Sequence, residues 1–397
     1  MKLLQLSPQF PFPLSDGGKI SIVNMTRALV QQGCEVDVLC LSKLLPSKEL
    51  IDEFRLYTGA HCTCITHDTS NSPIAILRSL FDLKNPLYMR KHRSTNYEIA
   101  LINLITEQTY DGILCDHTAM AEYGLKASHM SHIPVVLRMH NIEHIIWERY
   151  ADRFSSLDPR KVFILSQVRK LKQKEVEYAS LMQHCAMITE QDVDILQEYN
   201  QLIKATYVPV GIDTKKFHPK ERIQTAPHTL IHATTYDWVH NVEAIDWFIS
   251  EVMPTIHKEY AAELHLLGKH MPDRYRTMKD IGIIGKGFVE NMNDMLNNAS
   301  IYIAPLFVGA GIRIKILEAM SAGLPVIASK ISAEGIKANR EDGLIVCNDA
   351  TEFIMEISYL IQNPDQARLL GEKARSFILQ HHSWERSAER MKELFQR

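Results

Sequence analysis

The sequence predicts an α/β protein that contains two doubly wound parallel sheets. Short apolar segments alternate with segments of helical periodicity along most of the chain, a pattern typical of parallel strands that helices cover on both faces. The length of 397 residues is sufficient for two domains with separate cores. A polar segment at residues 218–228, which contains prolines and their neighbours, divides the alternation into two runs and predicts a hinge.

The two runs supply the individual elements. In the first run we predict a strand at residues 3–6, a helix at 21–32 that Gly33 ends, and a strand at 36–41. The alternation continues through four later segments, at residues 99–106, 112–115, 134–139 and 186–189. In the second run we predict the longest helix at residues 242–260 and five strands, at residues 229–233, 263–267, 282–284, 301–304 and 326–328. Ligands of such sheets bind at the carboxyl ends of the strands, and two such domains that face each other form a cleft.

The composition limits the classes of function. A hydrophobic content of 46% and a charged content of 23% are ordinary for a globular protein, and a net charge of −3 gives no reason to expect nucleic acid as a partner. No run approaches the ~18 apolar residues of a membrane span, and the apolar segment at residues 1–6 is too short for a signal-peptide core. Seven scattered cysteines, an odd number, indicate a reducing compartment, so we expect a cytoplasmic location.

Two cysteines raise the question of a metal site. Cys62 and Cys64 lie close together in the sequence, with His61 and His67 nearby. Alternation along a strand explains the pair as well, and no second pair of ligands has the spacing of a zinc site. We therefore predict no metal.

Residues 301–329 carry the most functional information. The strand predicted at 301–304 leads into a glycine-containing loop and a short helix, which ends at Gly323 before the next strand. The free N–H groups and the positive dipole end of such a helix form an anion site. Arg313 and Lys315 would be unfavourable beside that positive end unless they share a bound anion, and a diphosphate is the best candidate. Glu318, one turn later among apolar residues, requires a partner if it is buried, and the hydroxyls of a ribose would provide one.

This stretch resembles the retaining glycosyltransferases of family four, which have the GT-B fold. Their E-x7-E signature has its second Glu at Glu318, which in the family holds the ribose of the donor nucleotide. The first Glu would fall at position 310, where this chain has Ala310. The pattern Gly-x-Gly-x-Arg-x-Lys-x-Leu-Glu-Ala resembles a subgroup in which Arg and Lys reach the diphosphate. The resemblance therefore implies a donor-binding loop formed by Gly309, Ala310, Gly311 and Ile312.

The resemblance covers almost the whole chain and implies two Rossmann-like domains that face a central cleft. The N-terminal domain would comprise residues 1–211, because residues 206–213 resemble its last strand and the exit into the linker. The nucleotide-sugar-binding domain would comprise residues 212–378. A C-terminal helix at residues 379–397 would pack back on the N-terminal domain, with Trp384 where the family has a similar Trp.

Four residues of the N-terminal half belong to the expected site. Gly17 and Gly18 follow Asp16 and suit a capping turn before the first helix; in the family, paired glycines here let the backbone approach the phosphates or the sugar of the donor. His140 directly follows a predicted strand, and the family has a His at this point that touches the donor sugar near the reacting carbon. His117 follows a neighbouring predicted strand and is the second candidate. A purely structural histidine is the alternative in both cases.

Two further motifs concern the base and the metal. Phe288 and Val289 follow a predicted strand and resemble the family segment whose backbone reads the base, although a loop without function explains them equally well. Residues 192–194 spell the Asp-x-Asp of metal-dependent glycosyltransferases of another fold. Thr189 suits the N-cap of a helix that contains both aspartates, and residues two apart on a helix point in different directions. We predict no metal ligands there.

A basic segment at residues 160–174 suggests a further partner. It holds six basic residues interleaved with apolar ones. A basic amphipathic helix can lie on anionic lipid, which would suit a lipid-linked acceptor. The alternative is a solvated face on a helix that packs against the core.

Together these features predict a retaining, metal-independent glycosyltransferase that moves a sugar from a nucleoside-diphosphate sugar to an acceptor hydroxyl in bacterial cell-surface polysaccharide or glycolipid synthesis. His140, Arg313 and Lys315 are the expected catalytic residues. The expected partners are the nucleotide-sugar donor, a saccharide or lipid-linked saccharide acceptor and, peripherally, the inner face of an anionic membrane; no cofactor is expected. Two alternatives stay open. One is a nucleotide-sugar epimerase of similar architecture, for which the sequence shows no paired carboxylates. The other is a nucleotide-sugar-binding protein without activity, which Ala310 favours.

Overall fold

The computed structural model describes residues 1–14, 17–71, 76–77, 79, 81–82, 84–220, 228–308 and 311–396. Most of the hinge predicted at 218–228 therefore lies outside the described residues. Backbone contacts divide the chain into two compact units. Unit 1 comprises Met1–Gly211 and Trp384–Arg397, and unit 2 comprises Ile212–Ser383. Every strand pairing that the structure describes is parallel, which confirms the predicted α/β class.

A seven-stranded parallel sheet forms the centre of unit 1. Its strands in chain order are β1 (Lys2–Ser7), β2 (Glu35–Ser42), β3 (His61–Thr66), β4 (Gly112–Asp116), β5 (Val135–Met139), β6 (His184–Met187) and β7 (Ala205–Tyr207). They are arranged side by side as β3-β2-β1-β4-β5-β6-β7. The central strands β4 and β5 are buried at every residue, as is typical of strands with helices over both faces.

The helices of unit 1 pack on this sheet. In its first chain segment, the helices named here are α1 (Gly17–Gln31), α2 (Lys48–Thr58), α3 (Leu87–Arg90), α4 (Thr95–Glu107), α5 (Ala121–Ser131), α6 (Glu143–Ala151), α7 (Pro159–Leu181) and α8 (Glu190–Tyr199). Helix α7 turns one face inward through Ile164, Val168 and Leu171, which recur every three or four residues. Among the described residues, no helix has both the length and the apolar character that crossing a bilayer demands.

Unit 2 is built in the same way around a six-stranded sheet. Its strands are β8 (Thr229–Ala233), β9 (Glu263–Leu267), β10 (Ile283–Gly287), β11 (Ile301–Ala304), β12 (Val326–Ser329) and β13 (Leu344–Cys347), arranged as β10-β9-β8-β11-β12-β13. Its helices are α9 (Val239–Glu251), α10 (Met253–Tyr260), α11 (Met292–Asn297), α12 (Ile314–Ser321), α13 (Ala350–Gln362) and α14 (Pro364–His381).

Both sheets reverse their winding direction beside the first strand of the unit. In unit 1, β1 lies between β2 and β4, and in unit 2, β8 lies between β9 and β11. Doubly wound sheets bind their ligands at the carboxyl ends of the strands at such a switch point. The expected ligand sites are therefore at the carboxyl ends of β1 and β4 in unit 1, and of β8 and β11 in unit 2.

Some predicted elements differ from the structure in their bounds. The helix predicted at 242–260 is divided into α9 and α10, because Pro254 in the first turn of α10 has no N–H to continue the hydrogen-bond ladder of α9. Helix α1 begins at Gly17, four residues before its predicted start. Strand β7 ends at Tyr207, early in the segment 206–213 that resembles the last strand and the exit into the linker, and strand β13 was not predicted.

The last helix, α15 (Trp384–Gln396), lies in unit 1. The helix expected from residue 379 was wrong in its start, because residues up to His381 continue α14 in unit 2. The buried Trp384 packs on Gly211, where a Cβ atom would lie 2.5 Å from the indole ring, so no larger residue fits. Ser387 Oγ donates to the carbonyl of Pro209 over 2.7 Å. These contacts hold α15 against the end of the first chain segment of unit 1.

Candidate active site

In unit 2, the loop that leads into α12 follows β11 at the switch point of the sheet. Its beginning is held by two serines of the next β-strand and turn: Ser332 Oγ accepts the N–H of Leu306 over 3.0 Å, and Ser329 Oγ donates to the carbonyl of Leu306. Gly309 and Ala310 lie outside the described residues. Gly311 has a φ of 78°, in the left-handed region that glycine adopts without strain.

The structure places two cations beside the N-terminus of α12. The helix begins at Ile314, so Arg313 occupies the N-cap position and Lys315 the first turn. The Arg313 side chain makes no capping hydrogen bond, and its Nη1 donates to the carbonyl of Gly311 over 2.6 Å. A bound anion would offset the repulsion between these cations and the positive end of the helix.

Glu318 has a partner within the protein that was not predicted. Its side chain is buried, with 6% of the residue exposed, but its carboxylate has a partner within the protein. Lys315 Nζ donates to Glu318 Oε2 over 2.8 Å. Residues three apart lie on the same side of a helix, so the sequence itself contained this pairing. Because an ionised carboxylate can accept about four hydrogen bonds, the pair leaves acceptor capacity for ribose hydroxyls.

The C-terminal end of α12 is held by Arg375 of α14. Its Nη1 donates to the carbonyl and to the hydroxyl of Ser321, both over 2.9 Å, and to the carbonyl of Phe217 over 2.7 Å. A cation is favourable at the negative end of a helix. Helix α12 is thus fixed at the end opposite the candidate anion site.

The residues proposed to read the base lie after β10. Phe288 is 63% exposed, and Lys269 Nζ, from the loop after β9, lies 5.3 Å from the centre of its ring. Val289 and Ile312 pack partly buried against the core of unit 2. Lys269 was not predicted as part of the site, although its position just after a predicted strand indicates a cation at this edge of the sheet.

In unit 1, the two candidate glycines lie inside a helix. Gly17 and Gly18 form the first turn of α1 rather than a loop before it, and Asp16 lies outside the described residues. The first N–H groups of a helix have no acceptor within the helix. The N–H groups of this glycine turn are therefore available as hydrogen-bond donors at the start of α1, the helix that follows β1.

A buried network joins α1 to the carboxyl ends of β1, β4 and β5. Arg138 and Asp116 are both fully buried, and Arg138 Nη1 donates to Asp116 Oδ1 over 3.1 Å. Arg138 Nη2 donates to Ser21 Oγ over 2.7 Å, and Gln5 Nε2 donates to Asp116 Oδ2 over 2.6 Å. This network was not predicted. Its signal was an Asp and an Arg at the ends of strands that are otherwise apolar.

The two candidate histidines are attached to this network and to each other. His140 Nε2 lies 2.8 Å from Asp116 Oδ1. The rings of His140 and His117 are stacked, with centroids 3.9 Å apart and planes 16° apart. His117 has a φ of 71°, uncommon for a residue with a side chain, and its N–H donates to the carbonyl of Arg138 over 2.9 Å. His117 and His140, which were predicted as separate candidates, are therefore in direct contact.

The electrostatics of the network determine the protonation of His140. Burial would raise the pKa of Asp116, but the Arg138 guanidinium and then the bond to His140 hold it well below its usual range. Burial and then Arg138 lower the pKa of His140, so its imidazole is neutral at pH 7. Because the Asp116 carboxylate can only accept, Nε2 carries the proton and Nδ1 presents a lone pair. His140 can therefore accept a hydrogen bond from a hydroxyl.

Two carboxylates lie together at the N-terminus of α6, three residues beyond His140. Glu175 of α7 accepts the N–H groups of Glu143 and His144 over 2.9 and 3.0 Å, and His144 Nδ1 lies 2.6 Å from it. Burial and then the charge of Glu175 raise the pKa of Glu143 to about 7. The sequence showed no paired carboxylates, because these residues are 32 positions apart and only the return of α7 brings them together.

Two further motifs of the sequence analysis lie on helices outside the site. Asp192 and Asp194 lie in α8, and Thr189 caps that helix by accepting the N–H of Asp192 over 3.0 Å, as predicted. Along α7, Lys161 pairs with Asp152 at 3.3 Å and Lys174 with Glu177 at 2.7 Å. This part of the chain is a core-packed helix with a basic outer face.

Comparison with known proteins assigns both halves of the chain. The family model described as Glycosyltransferase Family 4 matches residues 15–216, and the model described as Glycosyl transferases group 1 matches residues 227–363. An uncharacterized 44.6 kDa protein in the cps region of Klebsiella pneumoniae is 23% identical over an alignment of 396 positions, which covers 96% of this chain and 96% of that protein.

Solved structures show the same architecture over the full length. HepE from Anabaena in complex with UDP has a TM-score of 0.70 at 15% identity and is covered over 100% of both chains. A mutant of S. aureus TarM, in complex with fondaparinux, alpha-GlcNAc-glycerol and UDP, has a TM-score of 0.69 at 12% identity, again over 100% of both chains. The two doubly wound units have the GT-B fold. Since the first family model covers half of the sequence, the chain belongs to family 4 of the glycosyltransferases.

Proposed function

We propose that this glycosyltransferase is a retaining enzyme that transfers a sugar from a nucleoside-diphosphate sugar to a hydroxyl of a saccharide or lipid-linked saccharide. The observation that carries the proposal is the arrangement at α12, where two cations lie beside the helix N-terminus and a buried carboxylate follows one turn later. A nucleoside diphosphate requires both features, cations for its phosphates and an acceptor for its ribose hydroxyls. HepE and TarM were each solved with UDP, so UDP is the first nucleotide to test.

In unit 2, Arg313, Lys315 and the N–H groups at the start of α12 bind the diphosphate. Lys315 Nζ carries three N–H donors and uses one on Glu318, so it can contact a phosphate oxygen without leaving the carboxylate. The exposed ring of Phe288, with Val289 beside it, binds the base. Gly311 and Ile312 complete the loop together with Gly309 and Ala310, which lie outside the described residues.

In unit 1, His140 binds the transferred sugar. Its hydrogen bond to Asp116 orients the ring, and the free Nδ1 accepts a sugar hydroxyl without adding charge. His117 holds the imidazole from one side by stacking. The N–H groups of Gly17 and Gly18 donate to the sugar or to the phosphate next to it.

Transfer breaks the bond between the anomeric carbon and the diphosphate oxygen. The negative charge that develops on the departing diphosphate is stabilised by Arg313, Lys315 and the helix N-terminus. The acceptor oxygen bonds to the anomeric carbon from the face that the diphosphate leaves, and its proton passes to the diphosphate oxygen, so the configuration is retained. Because protein cations supply the positive charge, transfer requires neither a metal ion nor a cofactor.

The relative in the cps region supports a role in bacterial cell-surface polysaccharide or glycolipid synthesis. For a lipid-linked acceptor, the outer face of α7 contacts the inner surface of an anionic membrane. Support comes from Val162 and Leu165, apolar residues that are 65% and 40% exposed on this basic helix. The parent should sediment with phosphatidylglycerol vesicles, and a Val162→Ser, Leu165→Ser double variant should sediment less. Equal sedimentation of the two proteins would contradict the membrane contact.

The test of the transfer reaction uses UDP-, GDP- and ADP-sugars with and without saccharide acceptors. We expect turnover of a UDP-sugar with release of UDP. NMR of the product should show that the new linkage has the same anomeric configuration as the sugar in the donor. A product of opposite configuration would contradict the retaining mechanism. Conversion of the donor into its epimer would assign an epimerase, and nucleotide binding without turnover would assign a binding protein.

A further inference from the structure

We propose that Cys40, Cys62 and Cys64 form a binding site for a thiophilic metal ion, for which Zn²⁺ is the best candidate. The three Sγ atoms lie close together in unit 1. The distance is 3.2 Å between Cys40 and Cys64, and 3.7 Å for each of the other two pairs. No step proposed for glycosyl transfer uses these side chains, so this site does not rest on the proposed function.

The strand register explains why the three sulfurs meet. Cys40 of β2 is the direct partner of Cys64 on β3, which is the edge strand of the sheet. Cys62 lies two residues before Cys64, and side chains two apart on a strand share a face. Spacing in the sequence indicates Cys62 and Cys64 as a pair but not the third ligand, because Cys40 is on a different strand. In the described part of the chain, this is the one group of three or more His, Cys, Asp or Glu ligand atoms that lie within 4.8 Å of one another.

The distances suit a metal ion bound to three thiolates. Zinc–sulfur bonds of about 2.3 Å in tetrahedral geometry place the sulfurs ~3.8 Å apart. Two of the three pairs, at 3.7 Å, are close to this value, and the Cys40–Cys64 pair, at 3.2 Å, is shorter. An ion about 1 Å above the plane of the three sulfurs would lie about 2.3 Å from each of them. The fourth coordination position would point away from that plane and take a water molecule.

Access and ligand chemistry also favour a soft cation. Cys40 is fully buried, whereas Cys62 and Cys64 are half-buried, so an ion can enter from the sheet edge. Thiolates select zinc or copper(I) over magnesium or calcium. On binding, the thiols that are protonated lose their protons to solvent and sulfur–metal bonds form, with no change of oxidation state. The ion would join the edge strand β3 to β2, so metal binding stabilises that edge.

The experiment titrates the reduced, full-length chain with Cd²⁺, which reports thiolate binding by ultraviolet charge-transfer absorption. We expect one equivalent per chain, displacement of Cd²⁺ by Zn²⁺, and a rise in Tm when Zn²⁺ saturates the protein. Cys62→Ser and Cys64→Ser should each lose at least tenfold in affinity. Cys34→Ser, which changes a buried thiol elsewhere in unit 1, should bind Cd²⁺ like the parent.

Two results would overturn the site. One is the absence of saturable Cd²⁺ uptake by the reduced parent. Formation of a disulfide between two of the three thiols in air would not change this conclusion if the reduced protein still binds no metal. The other is uptake that stays at one equivalent with unchanged affinity in both Cys62→Ser and Cys64→Ser. Near-ultraviolet circular dichroism of the two half-buried variants separates loss of the site from loss of the fold.

Discussion

Lys315 donates a 2.8 Å hydrogen bond to the carboxylate of Glu318, one turn later on the same helix. The Lys315 side chain is 45% exposed, whereas Glu318 is buried. The lysine therefore orients the buried carboxylate before any ligand binds, and the ammonium group still has donors directed to solvent. This pair links the site proposed for the diphosphate to the site proposed for the ribose.

The ribose contact is tested with Glu318. Glu318→Gln should weaken UDP binding and Glu318→Ala should weaken it further, because the amide keeps the shape but loses the charge-assisted hydrogen bonds. The parent should bind 2′-deoxy-UDP more weakly than UDP, and Glu318→Ala should discriminate much less, because it has no carboxylate to leave unpaired. Calorimetry of both ligands with the parent and the variants measures the difference. An equal deoxy penalty in parent and Glu318→Ala would show that Glu318 does not bind the ribose.

The diphosphate contact is tested with Arg313. A charge-assisted hydrogen bond contributes about 1.5–3 kcal/mol, so Arg313→Ala should bind UDP at least tenfold more weakly than the parent. Affinity for uridine should barely change, because uridine lacks the phosphates. Lys258→Ala, at an exposed lysine on α10, is the matched control and should bind both ligands like the parent. Equal weakening of UDP and uridine in Arg313→Ala would assign the residue to loop structure alone.

Arg138 should be essential for stability. It is fully buried against Asp116, and removal of one partner of a buried ion pair typically costs about 3–5 kcal/mol. Urea denaturation should show a loss of this size in Arg138→Ala. The double variant Arg138→Met, Asp116→Asn should recover part of it, because neither charge is then left alone. It also removes Arg138 Nε, a buried donor with no partner among the described residues. A loss below about 1 kcal/mol in Arg138→Ala would contradict the role of the ion pair.

The raised pKa of Glu143 should make the stability of the protein depend on pH. The pKa of this side chain is raised to about 7 in the folded chain, against ~4.3 for an ordinary glutamate. The folded state therefore holds the proton more tightly, and the stability that this contributes is present at low pH and is lost as the pH rises through about 7. Relative to Glu143→Gln, the parent should lose on the order of 2 kcal/mol of unfolding free energy between pH 5 and pH 8. Urea denaturation at several pH values measures how the unfolding free energy of the parent and of Glu143→Gln changes with pH. The same pH dependence in both proteins would contradict the raised pKa of Glu143.

Transfer should not depend on a divalent cation at the donor. Arg313, Lys315 and the N-terminus of α12 supply positive charge to the diphosphate, so product formation should persist in excess EDTA. Chelation at the three-cysteine site should change thermal stability rather than the rate at a temperature where the protein stays folded. Loss of turnover in EDTA that Mg²⁺ or Mn²⁺ restores would contradict the metal-independent mechanism.

The features that the sequence determined by itself are local. Buried strands separated by helical periodicity predicted the parallel α/β sheets, because a strand covered on both faces must be apolar along its length. The motif from β11 into α12 was also predicted, because all of its parts are close together in the sequence. The strand, the glycine loop, the start of the helix and the cations beside it lie within 15 residues. The cap at Thr189 and the pairing of Lys315 with Glu318 also depend only on helical spacing, although only the cap was predicted.

Other features were decided only by the tertiary structure, because their members come from different strands and helices. The bond between Arg138 and Ser21 spans 117 positions, and that between Gln5 and Asp116 spans 111. Glu175 reaches Glu143 because α7 packs back against the start of α6, and burial beside a second carboxylate then raises the pKa of Glu143. Cys40 reaches Cys64 because of the pairing register of β2 and β3. Sequence periodicity shows which face of an element is buried, but the partner that meets that face, and hence the charge and the chemistry there, depends on how the elements pack together.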